Sequence, residues 1–164
     1  MKHRNIKRVV RFFVLLGVVI VAGRFVQGCE RHRIPDVDQS LSPAYPGGSP
    51  LMCRTIDPDD ELERDIDVVY AMEYEGQLTA RFGRIRALPG DVVGVDDEGR
   101  LTVNGERIGP IAIKGKPIGR VPEGTVYILA VNPQETNYPD SRKLGCIPRA
   151  DVRARILARL GFGG

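Results

Sequence analysis

The chain has 164 residues, enough for one domain with a modest core and too few for a large multi-domain enzyme. Hydrophobic residues make up 42% and charged residues 27%, an ordinary globular balance that excludes wholesale disorder and collagen-like repeats. The net charge of +3 is unevenly spread: five of the 24 basic residues (Lys2, Arg4, Lys7, Arg8 and Arg11) lie in the first eleven positions, leaving 19 basic against 21 acidic residues elsewhere. The body is therefore slightly acidic, and neither a phosphate-binding groove nor a nucleic-acid partner is expected.

Residues 1–11 form a basic cytoplasmic head. The apolar run Phe12 to Gly23 follows without interruption. At about 1.5 Å per residue it spans only part of a bilayer core roughly 30 Å thick. Arg24 can snorkel its charge to the interface, so a tilted transmembrane signal anchor over residues 12–28, in contact with membrane lipid, is predicted. The Lys/Arg excess before the run orients residues 29–164 outward, into the periplasm or the exterior. Two other readings stay open, a removable secretory signal cleaved near Val21-Ala22-Gly23 and a lipoprotein signal using Val26-Gln27-Gly28-Cys29. All three export the body.

Cys29, Cys53 and Cys146 are the only cysteines. An odd count allows at most one internal pair, and Cys53 with Cys146 would close a long loop in an oxidising compartment; the alternative is buried free thiols. With no CxxC spacing and only His3 and His32, neither a metal nor a cofactor is expected.

Residues 30–60 are rich in Pro, Gly, Ser and Asp and read as an extended segment with turns. Seven acids fall between Asp57 and Asp67, a solvated turn before a strand. From there the pattern is β: Val68–Met72, then Leu78–Leu88 ending at the turn Pro89-Gly90-Asp91, then Val92–Val95 and Leu101–Val103. Asn104-Gly105 is a strong two-residue turn signal before Glu106–Ile108. A further strand is predicted over Val121–Val131, and Val152–Leu160 fits a last strand or a short helix. The expected fold is mainly β, built from short sequential hairpins after one N-terminal helix.

The order of these segments resembles the type I signal peptidase family, membrane-anchored serine endopeptidases with a β-rich extracytoplasmic domain. The residues that carry the resemblance are Arg64-Asp65-Ile66-Asp67-Val68-Val69, Arg84 through Leu88-Pro89-Gly90-Asp91, and Leu101-Thr102-Val103-Asn104-Gly105. Val121-Pro122-Glu123-Gly124-Thr125-Val126-Tyr127 and Asp140-Ser141-Arg142 follow in family order. The resemblance covers about residues 12–160.

It implies acyl transfer by a serine whose proton passes to a neutral, desolvated lysine, since an ordinary lysine, with a pKa near 10.4, is charged at pH 7. Ser40-Leu41-Ser42-Pro43-Ala44 matches the nucleophile motif in type and place, making Ser40 the candidate nucleophile; Ser49-Pro50-Leu51-Met52 is a weaker competitor. The lysine position falls on Gly83, and no lysine lies between Lys7 and Lys114. Arg81, Arg84 and Arg86 cannot replace it, because a guanidinium has no lone pair to accept a proton. The position of the lysine-orienting serine is Tyr138. The oxyanion-donor position, two before the nucleophile, is Asp38, whose carboxylate repels developing negative charge. Arg84 and Asp140 are expected to form the family's structural pair.

Three functions follow. The first is a degenerate homologue that keeps a groove for extended peptides of exported proteins, presenting substrates or serving an envelope complex. The second is an active endopeptidase that removes signal peptides, with Ser40 served by a base such as His32, Lys114, Lys116 or Lys143. The third is a secreted or lipidated structural module.

Overall fold

The structure, a computed structural model, describes residues 11–19, 23, 28–74, 76–112, 119–132, 134 and 139–161. Residues 11–19 form a helix, α1, that leaves Phe12, Phe13, Val14 and Leu15 exposed. Among the described residues no helix is long and apolar enough to cross a membrane. The rest of the predicted span lies, apart from Gly23 and Gly28, outside the described residues, as do the basic head before Arg11, Tyr138, Lys114 and Lys116.

The body is mainly β, as the alternating patterns predict. Its strands are β1 (Cys29–Arg33), β2 (Pro50–Thr55), β3 (Asp67–Tyr74), β4 (Gln77–Ala87), β5 (Val92–Val95), β6 (Arg100–Val103), β7 (Glu106–Ala112), β8 (Gly119–Arg120), β9 (Thr125–Leu129), β10 (Ile147–Pro148) and β11 (Val152–Arg159), with a short helix α2 (Ser141–Leu144) before β10. They form a seven-stranded sheet in the order β1-β2-β11-β3-β4-β9-β10 and a four-stranded sheet in the order β7-β6-β5-β8.

Two expectations need correction here. The Pro-rich segment contains β1 and β2, because Leu51 and Cys53 alternate inward and are fully buried. The hairpins are not all sequential, since β11 lies between β2 and β3 and pairs antiparallel with both. It does so because Ala154 and Ile156 complete the apolar cluster of Ile34, Leu41, Leu51, Val69 and Phe82, which would otherwise stand open between those two strands.

Alternation on β9 joins the sheets. Val126 and Ile128 pack with Val68, Tyr70 and Ile85, while Tyr127 and Leu129 pack with Val93, Leu101 and Val103 of the smaller sheet. The corner between the sheets is the turn Leu88-Pro89-Gly90-Asp91, where Gly90 takes φ +86° and the Asp91 amide donates to the Leu88 carbonyl at 3.1 Å. Asp91 accepts from the Leu88 amide at 2.7 Å, from Asn104 Nδ2 at 2.9 Å and from both ends of the Arg64 fork. Asn104, at φ +52°, also accepts from the Val92 amide at 2.8 Å. Three of the matched motifs thus meet in one polar knot.

Cys53 and Cys146 do not pair. Cys53 lies in the cluster of Leu41 and Leu51, Cys146 packs against that of Val93 and Leu129, and both are free thiols. Burial, with the Glu30 charge adding to it, pushes the Cys53 thiol up to about 11, so it stays protonated and unreactive at neutral pH.

Candidate functional site

Ser40 sits in a compact loop between β1 and β2 whose ends are tied together. The Ile34 amide donates to the Ser49 carbonyl and the Gly48 amide to the Ile34 carbonyl, both at 3.0 Å. Apolar Ile34 and Leu41, fully buried, pin the loop to the core. Gly47 is required by a close approach: a Cβ there would lie 2.2 Å from the Asp36 carbonyl oxygen. The second candidate, Ser49, is buried at the end of this loop and helps to close it through its backbone carbonyl.

The loop delivers Ser40 to the end of β9. Its carbonyl accepts from the amides of Val131 at 2.7 Å and Asn132 at 3.0 Å. That end of β9 is held from the other side by the Asp-Ser-Arg motif. Ser141 Oγ accepts from the Ile128 amide at 2.9 Å and Asp140 Oδ2 from the Ala130 amide at 3.0 Å, so two side chains complete the strand's hydrogen bonding where no neighbouring strand does. Asp140 also caps α2 by accepting from the Arg142 amide.

The expected pair of Arg84 with Asp140 does not form. Arg84 faces Asp67 directly across the β3–β4 ladder and grips it in a bidentate pair, at 2.7 and 3.0 Å. Asp140 is taken by Arg142, whose Nε lies 2.9 and 3.0 Å from its two oxygens. Each of these bonds raises its arginine's pKa above the ordinary value, with burial opposing. Asp67 was legible as the acid of the Arg64-to-Val69 motif, but its register opposite Arg84 was not.

Ser40 is 3% exposed and Asp38 is fully buried. The Ser40 amide donates to Asp38 Oδ1 at 2.8 Å. In acyl transfer that same N–H should point at the developing oxyanion, so the carboxylate does more than repel negative charge. It occupies the donor. Asp38 Oδ2 is buried and has no hydrogen-bond partner. Among the described residues no lysine or histidine is bonded to the Ser40 hydroxyl; His32 lies instead on β1 beside Glu30, 3.4 Å from its carboxylate.

Gly83, at the lysine position, pairs with Val68 in the middle of the β3–β4 ladder. A Cβ there would come within 2.6 Å of Ile128 Cγ2 and 3.1 Å of the Leu129 carbonyl oxygen. Ile128 is fully buried. The strand next door has closed over the side-chain position, so this site now demands glycine.

Tyr70 and Arg81, which the sequence analysis did not single out as site residues, complete the surroundings. They face each other across the β3–β4 ladder and both are buried. Burial and then the Asp140 charge push the Tyr70 phenol well up; Arg81 opposes the rise and Asp38 adds to it. The alternating pattern of β3 and β4 was the signal that could have found them. No group of His, Cys, Asp and Glu side chains among the described residues is arranged to hold a metal.

The family model described as signal peptidase, peptidase S26, matches residues 6–160. Among solved structures, one similar to this chain is a signal peptidase I from Enterococcus faecalis V583, at 20% identity, with 60% of this chain and 98% of that chain covered and a TM-score of 0.46. No curated protein matches.

Proposed function

The chain belongs to the signal peptidase family, peptidase S26, and from that premise we propose that it is a non-catalytic member that binds extended peptides of exported proteins. The observation that carries this reading is the bond from the Ser40 amide to Asp38 Oδ1. A hydrolase needs that donor free when negative charge builds on the carbonyl oxygen, and removing one such donor costs about 10²- to 10³-fold in rate. The Gly83 position supports the same reading, since Ile128 fills the space that a lysine's first carbon would need. Among the described residues no base is bonded to Ser40, and its amide is held by Asp38.

Peptide binding needs neither. Extended peptides add to a sheet through backbone hydrogen bonds, with side-chain pockets selecting sequence. Anchoring through residues 12–28, with the body outside the cytoplasm, is part of this proposal; it is supported by the exposed apolar side chains of α1 and by the basic residues that precede them.

The test uses the full chain in detergent with a precursor carrying an Ala-x-Ala site. No turnover is expected, while crosslinking of the precursor should be unchanged by Ser40→Ala. Cleavage that Ser40→Ala abolishes overturns the proposal in favour of an active endopeptidase, and absence of any crosslink removes the peptide-binding half.

A further inference from the structure

We propose that the free edge of β1 takes the bound peptide as an added strand and selects one with acidic residues at alternate positions, facing Arg31 and Arg33. The inference rests on the peptide-binding reading above and adds where the peptide lies and which pattern it carries.

Four strands border the two sheets, β1 and β10 on the larger and β7 and β8 on the smaller. β8 and β10 are two residues long, and β7 carries Pro110 after Gly109 at φ +72°, so none of these three offers a continuous row of amides. β1 is different. It pairs with β2 over five residues in an unbroken antiparallel register, without proline or bulge. Among the described residues no turn or loop backbone bond reaches residues 30–33, so the side of β1 away from β2 keeps its amides and carbonyls for another strand.

Charge decides the occupant. Side chains alternate along β1, so Glu30 and His32 share one face and Arg31 and Arg33 the other. The first face is matched, since Glu30 accepts from Thr55 Oγ1 at 3.2 Å and lies 3.4 Å from His32 Nε2. The second is not. Arg31 is exposed, lies opposite Met52 on β2 and has no ion pair among the described residues. Arg33 meets only Asp36, at 3.5 Å with the two side chains 71% and 80% exposed, a pair of little worth in water. A second copy of β1 does not fit this edge. Every antiparallel register of β1 on itself that pairs three or more residues sets Arg31 against Arg31, Arg31 against Arg33, or Glu30 against Glu30. An extended segment with acids two positions apart brings both to the Arg31 and Arg33 face, and each opposite-charge pair should strengthen binding about threefold.

The experiment compares nine-residue Val/Thr/Ser peptides by fluorescence anisotropy with the detergent-solubilised full chain at low salt. A peptide with Glu at its fourth and sixth positions should bind about tenfold tighter than one with Gln at both. It should also bind about threefold tighter than one with Glu at its fourth and fifth positions, which has the same charge but sends one acid to the opposite face. In the double variant Arg31→Gln, Arg33→Gln, which alters exposed side chains only, the three peptides should bind within about twofold of one another. Equal binding of the two acidic peptides to the unaltered chain, or a preference that survives the double variant, overturns the inference while leaving peptide binding intact. If no peptide of the set binds, the peptide-binding reading fails and this inference with it. The three-peptide comparison on the unaltered chain decides the matter even where the variant misfolds.

Discussion

Two buried aspartates divide the molecule. Asp91 at the sheet corner receives the Leu88 amide, the Asn104 amide group and the Arg64 guanidinium. Asp38 beside Ser40 receives a single amide and holds one oxygen with nothing against it. Both lie on residues that the family resemblance picks out. The corner keeps the complete network that the fold needs. The Ser40 neighbourhood keeps its backbone path, through Val131, Asn132, Asp140 and Ser141, and carries Gly83 and Asp38 where the resemblance places a lysine and an oxyanion donor. Matched motifs therefore report two separate things, the frame of the fold and the chemistry of the site, and the proposed function rests on the difference between them.

The contrast can be broken at the corner first. Asp91→Ala leaves the Arg64 charge, the Asn104 amide and the Leu88 amide without their shared acceptor, and should cost about 3 kcal/mol of stability, read from the midpoint of urea unfolding. Gly83→Lys comes next: forcing a side chain against Ile128 and the Leu129 carbonyl should cost about 2 kcal/mol. That variant should still not cleave an Ala-x-Ala precursor; strong turnover from this one change would show that Asp38 does not block the site.

Acid sharpens the same comparison. Burial raises the Asp91 carboxyl, but the Leu88 amide, Asn104 and Arg64 together outweigh it and hold the carboxyl below its ordinary value. Its contribution is complete above the unfolded carboxylate value of about 3.9 and is lost as pH falls through the lower folded value. Unfolding followed by circular dichroism against pH should accordingly steepen below about pH 4, and Asp91→Asn should flatten that part of the curve. The smallest effect belongs to Ser40→Ala, whose hydroxyl bonds to no described residue. It should move stability by less than about 0.5 kcal/mol and leave peptide crosslinking unchanged; a loss of crosslinking would show that the hydroxyl still contacts ligand.

Local signals carried the strands from Val68 to Val103, because β-branched alternation and the Asn104-Gly105 turn act within a few residues. β2 was hidden because Pro46, Gly47, Gly48 and Pro50 mask a short strand whose apolar residues are the unbroken run Leu51, Met52 and Cys53, which shows no alternation. The partner of Arg84 was misread for a different reason: pairing with Asp67 follows from the β3–β4 register, which no short window contains. Gly83 and Asp38 were found as departures by counting along the motifs. The closure of β9 over Gly83 is a distance across the fold, invisible to any count, whereas the capture of the Ser40 amide by Asp38 spans only two residues and is the local bond that an aspartate can make to the amide two positions on.

The place of β11 between β2 and β3 makes part of the core depend on the last strand of the chain. Val69 and Phe82 can meet early, since β3 and β4 form one hairpin, yet Leu41 and Leu51 find their shared neighbours only when Ala154 and Ile156 arrive. Long-range pairing of this kind is slow and leaves apolar edges exposed while it waits. For a chain that emerges from its N-terminal end, the Ser40 neighbourhood cannot take its final shape until residues 152–159 are through. A chain stalled short of β11 would thus present the corner without the closed cluster around Leu41 and Leu51.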